Sequence, residues 1–183
     1  MRSPLAGLLV IVLSGSCSQV ATPTSPSLVA RSAESSLEGA AATVVTAAAS
    51  TVPFNGKLEG IADPPQFEPP PSPFFSAHLL ATGNATHLGR FTMDYSHRVN
   101  LLTLAGIGTA TVTAANGDTL TTTVEGTATP TSSPTAFTVV ETHTITGGTG
   151  RFAGARGSFI VTRSVDFADP FTAGSIDGEL TKY

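Results

Sequence analysis

From Phe54 onwards the sequence alternates between segments rich in Thr, Val and Phe and short stretches of turn-forming residues. β-Branched and aromatic residues favour strands, and Gly, Asn, Asp, Ser and Pro between them mark turns. No apolar pattern with the period of a helix runs through this part of the sequence, which predicts low helix content. The predicted strands are 55–62, 76–86, 89–100, 104–114, 119–129, 135–146, 156–165 and 173–181.

Eight mainly antiparallel strands with short connections, such as the Asn116-Gly117 hairpin turn, must each bury one face. An open sheet of eight strands would expose two edges, whereas closure into an up-and-down barrel removes both. The expected fold class is therefore all-β, an eight-stranded antiparallel, calycin-like barrel, and a two-sheet sandwich is the alternative. The segment 63–73 holds six prolines, which excludes a central strand and predicts a stiff loop.

The N-terminus has the order of a secretory signal peptide over residues 1–17. Arg2 precedes an apolar run over 5–13, and small residues follow. Nine apolar residues cover about 14 Å of helix, which is too short to cross a bilayer. We therefore expect a secreted or cell-envelope protein.

Cys17 is the single cysteine, so the chain has no internal disulfide framework and no multi-thiolate metal site. The small residues before it resemble a bacterial lipobox, in which a signal peptidase cleaves on the N-terminal side of a lipidated cysteine. Ordinary cleavage around Ser14 and Ser16, or Ser16 and Ser18, is the alternative. A lipid on Cys17 would be the one link to a membrane.

Residues 18–50 are rich in Ala, Ser and Thr and predict a disordered spacer, with a short helix over 32–42 as the alternative. The remainder, 51–183, is long enough for one packed barrel domain.

The charge balance and the histidine spacing limit the partners. Nine Lys and Arg against thirteen Asp and Glu give a net charge of −4, which argues against a nucleic-acid-binding protein. The four histidines form no HxH or HExxH pair, so no metal site is expected. The oligomeric state is left open by the sequence.

Strand alternation places several polar side chains on the apolar, inward faces. Tyr95 and His97 share one face with Phe91, Met93 and Val99, and Glu141, His143 and Arg163 share faces with Phe and Val residues. Because a buried charge is costly without a partner, these residues must be paired, hydrated or offered to a ligand. The predicted ligand-binding residues are Tyr95, His97, Glu141, His143 and Arg163. The alternative places them at strand ends, in a salt-bridged or wet rim.

The segment 145–159, ITGGTGRFAGARGSF, is rich in glycine. It lacks the Lys-Ser/Thr pair of a phosphate-binding loop, and no helix pattern follows, so a sharp turn is the better interpretation. In such a turn Phe152 can fold back and plug one end of the barrel.

This turn, with the segments 87–92 and 114–120, resembles a group of uncharacterised bacterial secreted proteins. The turn itself is similar to that of plant dirigent proteins and allene oxide cyclase, and the resemblance covers roughly residues 54–181. It implies a barrel with an apolar central cavity that guides coupling or cyclisation of apolar intermediates without a metal or organic cofactor.

Three functions remain open from the sequence. The chain is a barrel that binds a small apolar ligand, or a cofactor-independent cyclase or isomerase, or a structural module whose interior is filled by side chains. In the enzyme, Glu141 or His143 would transfer the proton, and Tyr95 or Arg163 would hold a substrate oxygen.

Overall fold

A computed structural model describes residues 49–182. The signal peptide, Cys17, nearly all of the spacer and the alternative helix over 32–42 lie outside the described residues, as does Tyr183. The described chain forms nine strands: β1 (Ser50–Ala62), β2 (Gln66–Phe67), β3 (Phe74–Ala85), β4 (Gly89–Asn100), β5 (Ala105–Ala114), β6 (Thr119–Pro130), β7 (Ala136–Gly148), β8 (Arg156–Asp166) and β9 (Asp169–Lys182).

The strands close into an antiparallel barrel. Each long strand pairs with the next along the chain from β3 to β9, and β1 pairs with both β9 and β3. The barrel wall therefore has eight strands, and the two-residue β2 adds to the start of β3. The predicted eight-stranded barrel is confirmed, and the sandwich is wrong because the first and last long strands are paired.

Most predicted strands agree with the observed ones within two residues. The first and last strands differ, since β1 begins at Ser50 and β9 at Asp169. The extra residues at the start of β1 pair with the end of β9, as Ser50 does with Lys182, and those at the start of β9 pair with the end of β1, as Phe171 does with Ile61. The lengths of β1 and β9 depend on their pairing with each other, and strands so far apart in the sequence leave no local pattern that predicts where this pairing ends.

The inward faces form one core, with alternating large and small side chains. At one end of the barrel a single 3₁₀ turn, Gly150–Phe152, brings Phe152 to complete burial beside the ends of the strands. The predicted plug is thus present. Within residues 49–182 no helix is long and apolar enough to cross a membrane.

The other end of the barrel is bordered by the proline-rich loop 63–73. Glu68 in this loop accepts hydrogen bonds from Arg98 Nε at 2.6 Å and Nη2 at 3.0 Å, and from the Ser72 hydroxyl at 2.6 Å. These bonds lower the pKa of Glu68 to about 2. The loop is therefore fastened to β4 and stays at the mouth of the barrel.

Candidate functional site

A cavity of about 380 Å³ opens at the end of the barrel opposite Phe152. It is lined by the start of β3, β5 and β7, by the end of β4, β6 and β8, and by the β8–β9 turn. Most lining side chains are apolar, and four are phenylalanines: Phe75, Phe137, Phe167 and Phe171. Phe167 contacts Phe75 and Phe137, with ring centroids 6.1 and 5.5 Å apart.

A buried ion pair forms the polar part of the cavity wall. Arg163 donates from Nε to Glu141 Oε2 at 2.9 Å and from Nη2 to Glu141 Oε1 at 2.8 Å. Both side chains are only 4 % exposed. The Tyr95 hydroxyl donates to Glu141 Oε1 at 3.2 Å, and Arg163 Nη1 donates to the Thr172 hydroxyl at 3.5 Å. The four side chains, which lie on β4, β7, β8 and β9, thus form one hydrogen-bonded cluster.

The ion pair holds both of its members in the charged form. Burial raises the pKa of Glu141, but the hydrogen bonds and charge of Arg163 outweigh it, so the pKa lies below its ordinary value. Burial lowers the pKa of Arg163, but the hydrogen bonds and charge of Glu141 outweigh this effect, so the pKa lies above its ordinary value. The pKa of Tyr95 is raised by burial and by the Glu141 charge, which keeps the phenol protonated.

His97 lines the cavity beside this cluster and is half-buried. Its imidazole stacks on the Tyr95 ring, with centroids 4.5 Å apart, and its Nδ1 is buried with no hydrogen-bond partner. Burial, helped by the Arg163 charge, lowers the pKa of His97 to about 4. His97 is therefore a neutral ring at neutral pH with unused hydrogen-bonding capacity.

His143 faces the interior but does not line this cavity. It is fully buried two residues beyond Glu141 on β7, stacked on Phe159 at 4.7 Å. Its Nδ1 lies 3.2 Å from the Thr122 hydroxyl, and its Nε2 has no partner. Burial lowers the pKa of His143 to about 4. The structure therefore places Tyr95, His97, Glu141 and Arg163 at the cavity, and His143 in the core beneath it.

Three of the large polar side chains of the wall lie opposite a glycine on a neighbouring strand. Gly108 pairs with His97, Gly126 with Glu141 and Gly174 with Arg163. A Cβ at Gly126 would lie 2.7 Å from Glu141 Cγ, and one at Gly174 would lie 2.7 Å from Arg163 Cβ. The glycines thus provide the room for the cluster, a signal that was visible in the sequence as glycines inside strands.

The mouth of the cavity carries carboxylates that the sequence analysis did not select. Asp63, Asp166 and Asp169 line it. Asp166 and Asp169 accept backbone hydrogen bonds within the β8–β9 turn, from Ala168 and Phe171 at 2.9 Å. Asp63 lies in the proline-rich loop, and Asp166 and Asp169 are the last residue of β8 and the first of β9, where strand alternation gives little information. Among the described residues no three His, Cys, Asp or Glu side chains are grouped so as to hold a metal ion.

Comparison with known proteins places the barrel among dirigent-like folds. One similar solved structure, a pterocarpan synthase dirigent protein, has a TM-score of 0.56 and 16% identity, and the match covers 74% of this chain and 89% of that chain. A second pterocarpan synthase dirigent protein has a TM-score of 0.54 and 15% identity, over 73% of this chain and 96% of that chain. No family model matches the sequence, and the search of curated proteins found no match. At these identities the likeness concerns the fold.

Proposed function

We propose that this chain is an exported barrel protein of dirigent type that binds one small, mainly apolar molecule in its open cavity. The observation that carries the proposal is the cavity itself. Its volume of about 380 Å³ lies within the roughly 300–1,000 Å³ typical of small-molecule sites. An apolar wall with a few converging polar groups is also the usual composition of such sites.

The cavity volume argues against the hypothesis of a purely structural module, because such a module would have its interior filled by side chains. The plugged end of the barrel is filled in this way, around Phe152. The open end has Gly106 and Gly126 at inward positions, where larger side chains would have closed the space.

A cofactor-independent cyclase or isomerase is the second candidate, since the two similar structures are named as synthases. A proton-transfer group works best with a pKa near the working pH. Glu141 is held ionised by Arg163, and His143 lies outside the cavity, so neither is well suited to this role. His97 has the better position, but its pKa of about 4 makes it a weak base. Binding without turnover is the simpler function for this set of groups.

Ligand binding is tested with two tryptophan variants of adjacent residues on β7. Val139 lines the cavity, whereas Val140 is 45% exposed on the outer face. Val139→Trp should fill the cavity and weaken binding of the uncharged dye Nile red by at least about tenfold, or about 1.4 kcal/mol. Val140→Trp is the matched control and should bind as the unaltered protein does. Equal binding by both variants would place the dye outside the cavity, and circular dichroism checks that each variant folds.

Export and lipidation are tested by native mass spectrometry of the protein recovered outside the cytoplasm. Cleavage within residues 14–18 should shorten the chain, and acyl mass on Cys17 would indicate a lipid anchor rather than a secreted form. The same spectrum shows a co-purified small molecule as an added mass. A full-length chain that stays inside the cell would contradict export.

A further inference from the structure

We infer that the cavity selects uncharged ligands over anionic ones, and that Glu141 sets this selectivity by occupying Arg163. The inference rests on the proposed function and adds the chemical class of the ligand. It concerns the only guanidinium that reaches the cavity within residues 49–182.

Arg163 is already paired with groups of the protein, and three of its five N–H groups are in use. Two of its nitrogens donate to the two oxygens of Glu141, and the third donates to the Thr172 hydroxyl. Thr172 in turn donates to the backbone oxygen of Ser164, which fixes its hydroxyl. The Nε–Nη2 edge of the guanidinium is paired with Glu141, so this edge cannot form the same two-pronged pair with a ligand carboxylate.

The other charged side chains that line the cavity are negative. The described lining contains four carboxylates, those of Asp63, Asp166, Asp169 and Glu141, and no lysine. The three aspartates stand at the mouth, so an anion would approach a negative potential before it reached the interior. Inside, it would lose its hydration without meeting a free cation, which is costly.

An uncharged ligand meets none of these barriers. Its apolar body can pack on the phenylalanines of the wall, Phe75 and Phe137 among them. A single hydroxyl needs only one hydrogen-bond partner, and the His97 ring lines the cavity with a buried Nδ1 that has no hydrogen-bond partner within the described residues. The site is therefore complementary to a compact apolar molecule with a neutral polar group.

The test compares 2-naphthalenemethanol with 2-naphthoate at pH 7.5, since the two share one ring system and differ in charge. The chain has no tryptophan, so naphthalene fluorescence can be followed directly. We expect the alcohol to bind at least about tenfold more tightly than the carboxylate. Equal or tighter binding of naphthoate would overturn the inference.

The role of Glu141 is tested with Glu141→Gln, which keeps the shape and removes the negative charge. Freed Arg163 should then attract naphthoate, and the ratio of the two affinities should fall by about tenfold or invert. Glu125→Gln removes an exposed carboxylate on the outer face, next to Gly126, and should leave the ratio unchanged. An unchanged ratio in folded Glu141→Gln would overturn the assignment to Glu141.

Three outcomes separate the selectivity from the proposed function. If Glu141→Gln does not fold, the comparison in the unaltered protein still decides whether uncharged ligands are preferred. If neither naphthalene compound binds the unaltered protein, the proposed function fails and the selectivity fails with it. Binding of both compounds with equal affinity overturns the selectivity alone and leaves the proposed function standing.

Discussion

Glu141 and Arg163 each depend on the other for their charge inside the barrel. The two side chains are almost completely buried and share two hydrogen bonds, while Tyr95 satisfies one Glu141 oxygen from across the lumen. Taking either charge out of water is costly, and the pair offsets this only because its geometry is good. Substituting one of the two residues should therefore lower the free energy of unfolding mainly because the other keeps a buried charge without a partner.

A double-mutant cycle measures this dependence. Arg163→Met should lower the free energy of unfolding by about 3–5 kcal/mol, because it leaves the Glu141 carboxylate buried without a cation. Glu141→Leu should cost a similar amount for the converse reason. The double variant should recover most of the loss, since a buried pair replaced by apolar residues of similar size is often neutral or stabilising. Urea unfolding measures all four proteins, and additive losses would contradict the coupling.

Strand alternation predicted which side chains face inward but not how deep they lie. It placed Tyr95, Glu141 and His143 on inward faces, and all three are buried. It could not separate Glu141 at the cavity from His143 in the core, because positions two apart share a face and differ only in distance from the open end. That distance depends on the stagger of eight strands and on the plug at Phe152, which are properties of the closed barrel.

At the scale of elements, the proline-rich loop is held to the barrel by a histidine as well as by the Glu68–Arg98 pair. His78 on β3 contacts Asp63 through Nδ1 at 2.9 Å and Asp94 through Nε2 at 3.0 Å. The Asp63 amide also donates to the His78 carbonyl oxygen at 2.8 Å. Both ring nitrogens can donate only when the imidazole is protonated, so this junction depends on pH.

The hydrogen bonds to Asp63 and Asp94 raise the pKa of His78 above its ordinary value of 6.5. Its stabilising effect is therefore complete below pH 6.5 and is lost as pH rises through the raised value. His97 and His143, with lowered pKa values, act in the opposite sense as pH falls below 6.5. The useful quantity is thus the difference in unfolding free energy between the unaltered protein and His78→Gln. This difference should shrink from pH 6 to pH 9, and a constant difference would contradict the junction.

The composition of the loop predicted its class but not its contacts. Six prolines correctly excluded a central strand over 63–73. The short β2 inside it was missed, because two residues between prolines carry no strand pattern. Phe67 is held there by tertiary contact, with its ring 5.6 Å from Phe75. Such contacts depend on where the loop lies relative to β3, which local sequence does not determine.

At the scale of the whole molecule, closure of the barrel depends on β1, which pairs with β3 on one side and with β9, at the far end of the described chain, on the other. Its inward face alternates large and small residues, with Phe54 and Leu58 separated by Gly56 and followed by Gly60. Both glycines lie at the seam with β3, where they pair with Ala85 and Ala81. The small residues on both strands let the two backbones approach closely and complete the wall.

A substitution at the seam should therefore act on the whole barrel. A Cβ at Gly60 would collide with the carbonyl oxygen of Leu80 and would lie 2.8 Å from Ala81 Cα, and both are backbone atoms that cannot turn away. Gly60→Val should cost about 1–3 kcal/mol of unfolding free energy or more, because the seam must open to admit the side chain. Thermal unfolding measures the loss, and amide exchange should increase at β1 and β3 before it increases at β6 and β7.

The control is Glu59→Val, which introduces the same side chain one residue away on the exposed outer face of β1. It should change the free energy of unfolding by no more than about 0.5 kcal/mol, as expected for a surface position. If Gly60→Val were equally harmless, the close approach of β1 and β3 would not be needed for closure. If it were destabilising but exchange increased uniformly, the barrel would unfold as one unit rather than from its seam. The pattern of exchange thus separates the role of the seam from that of the core.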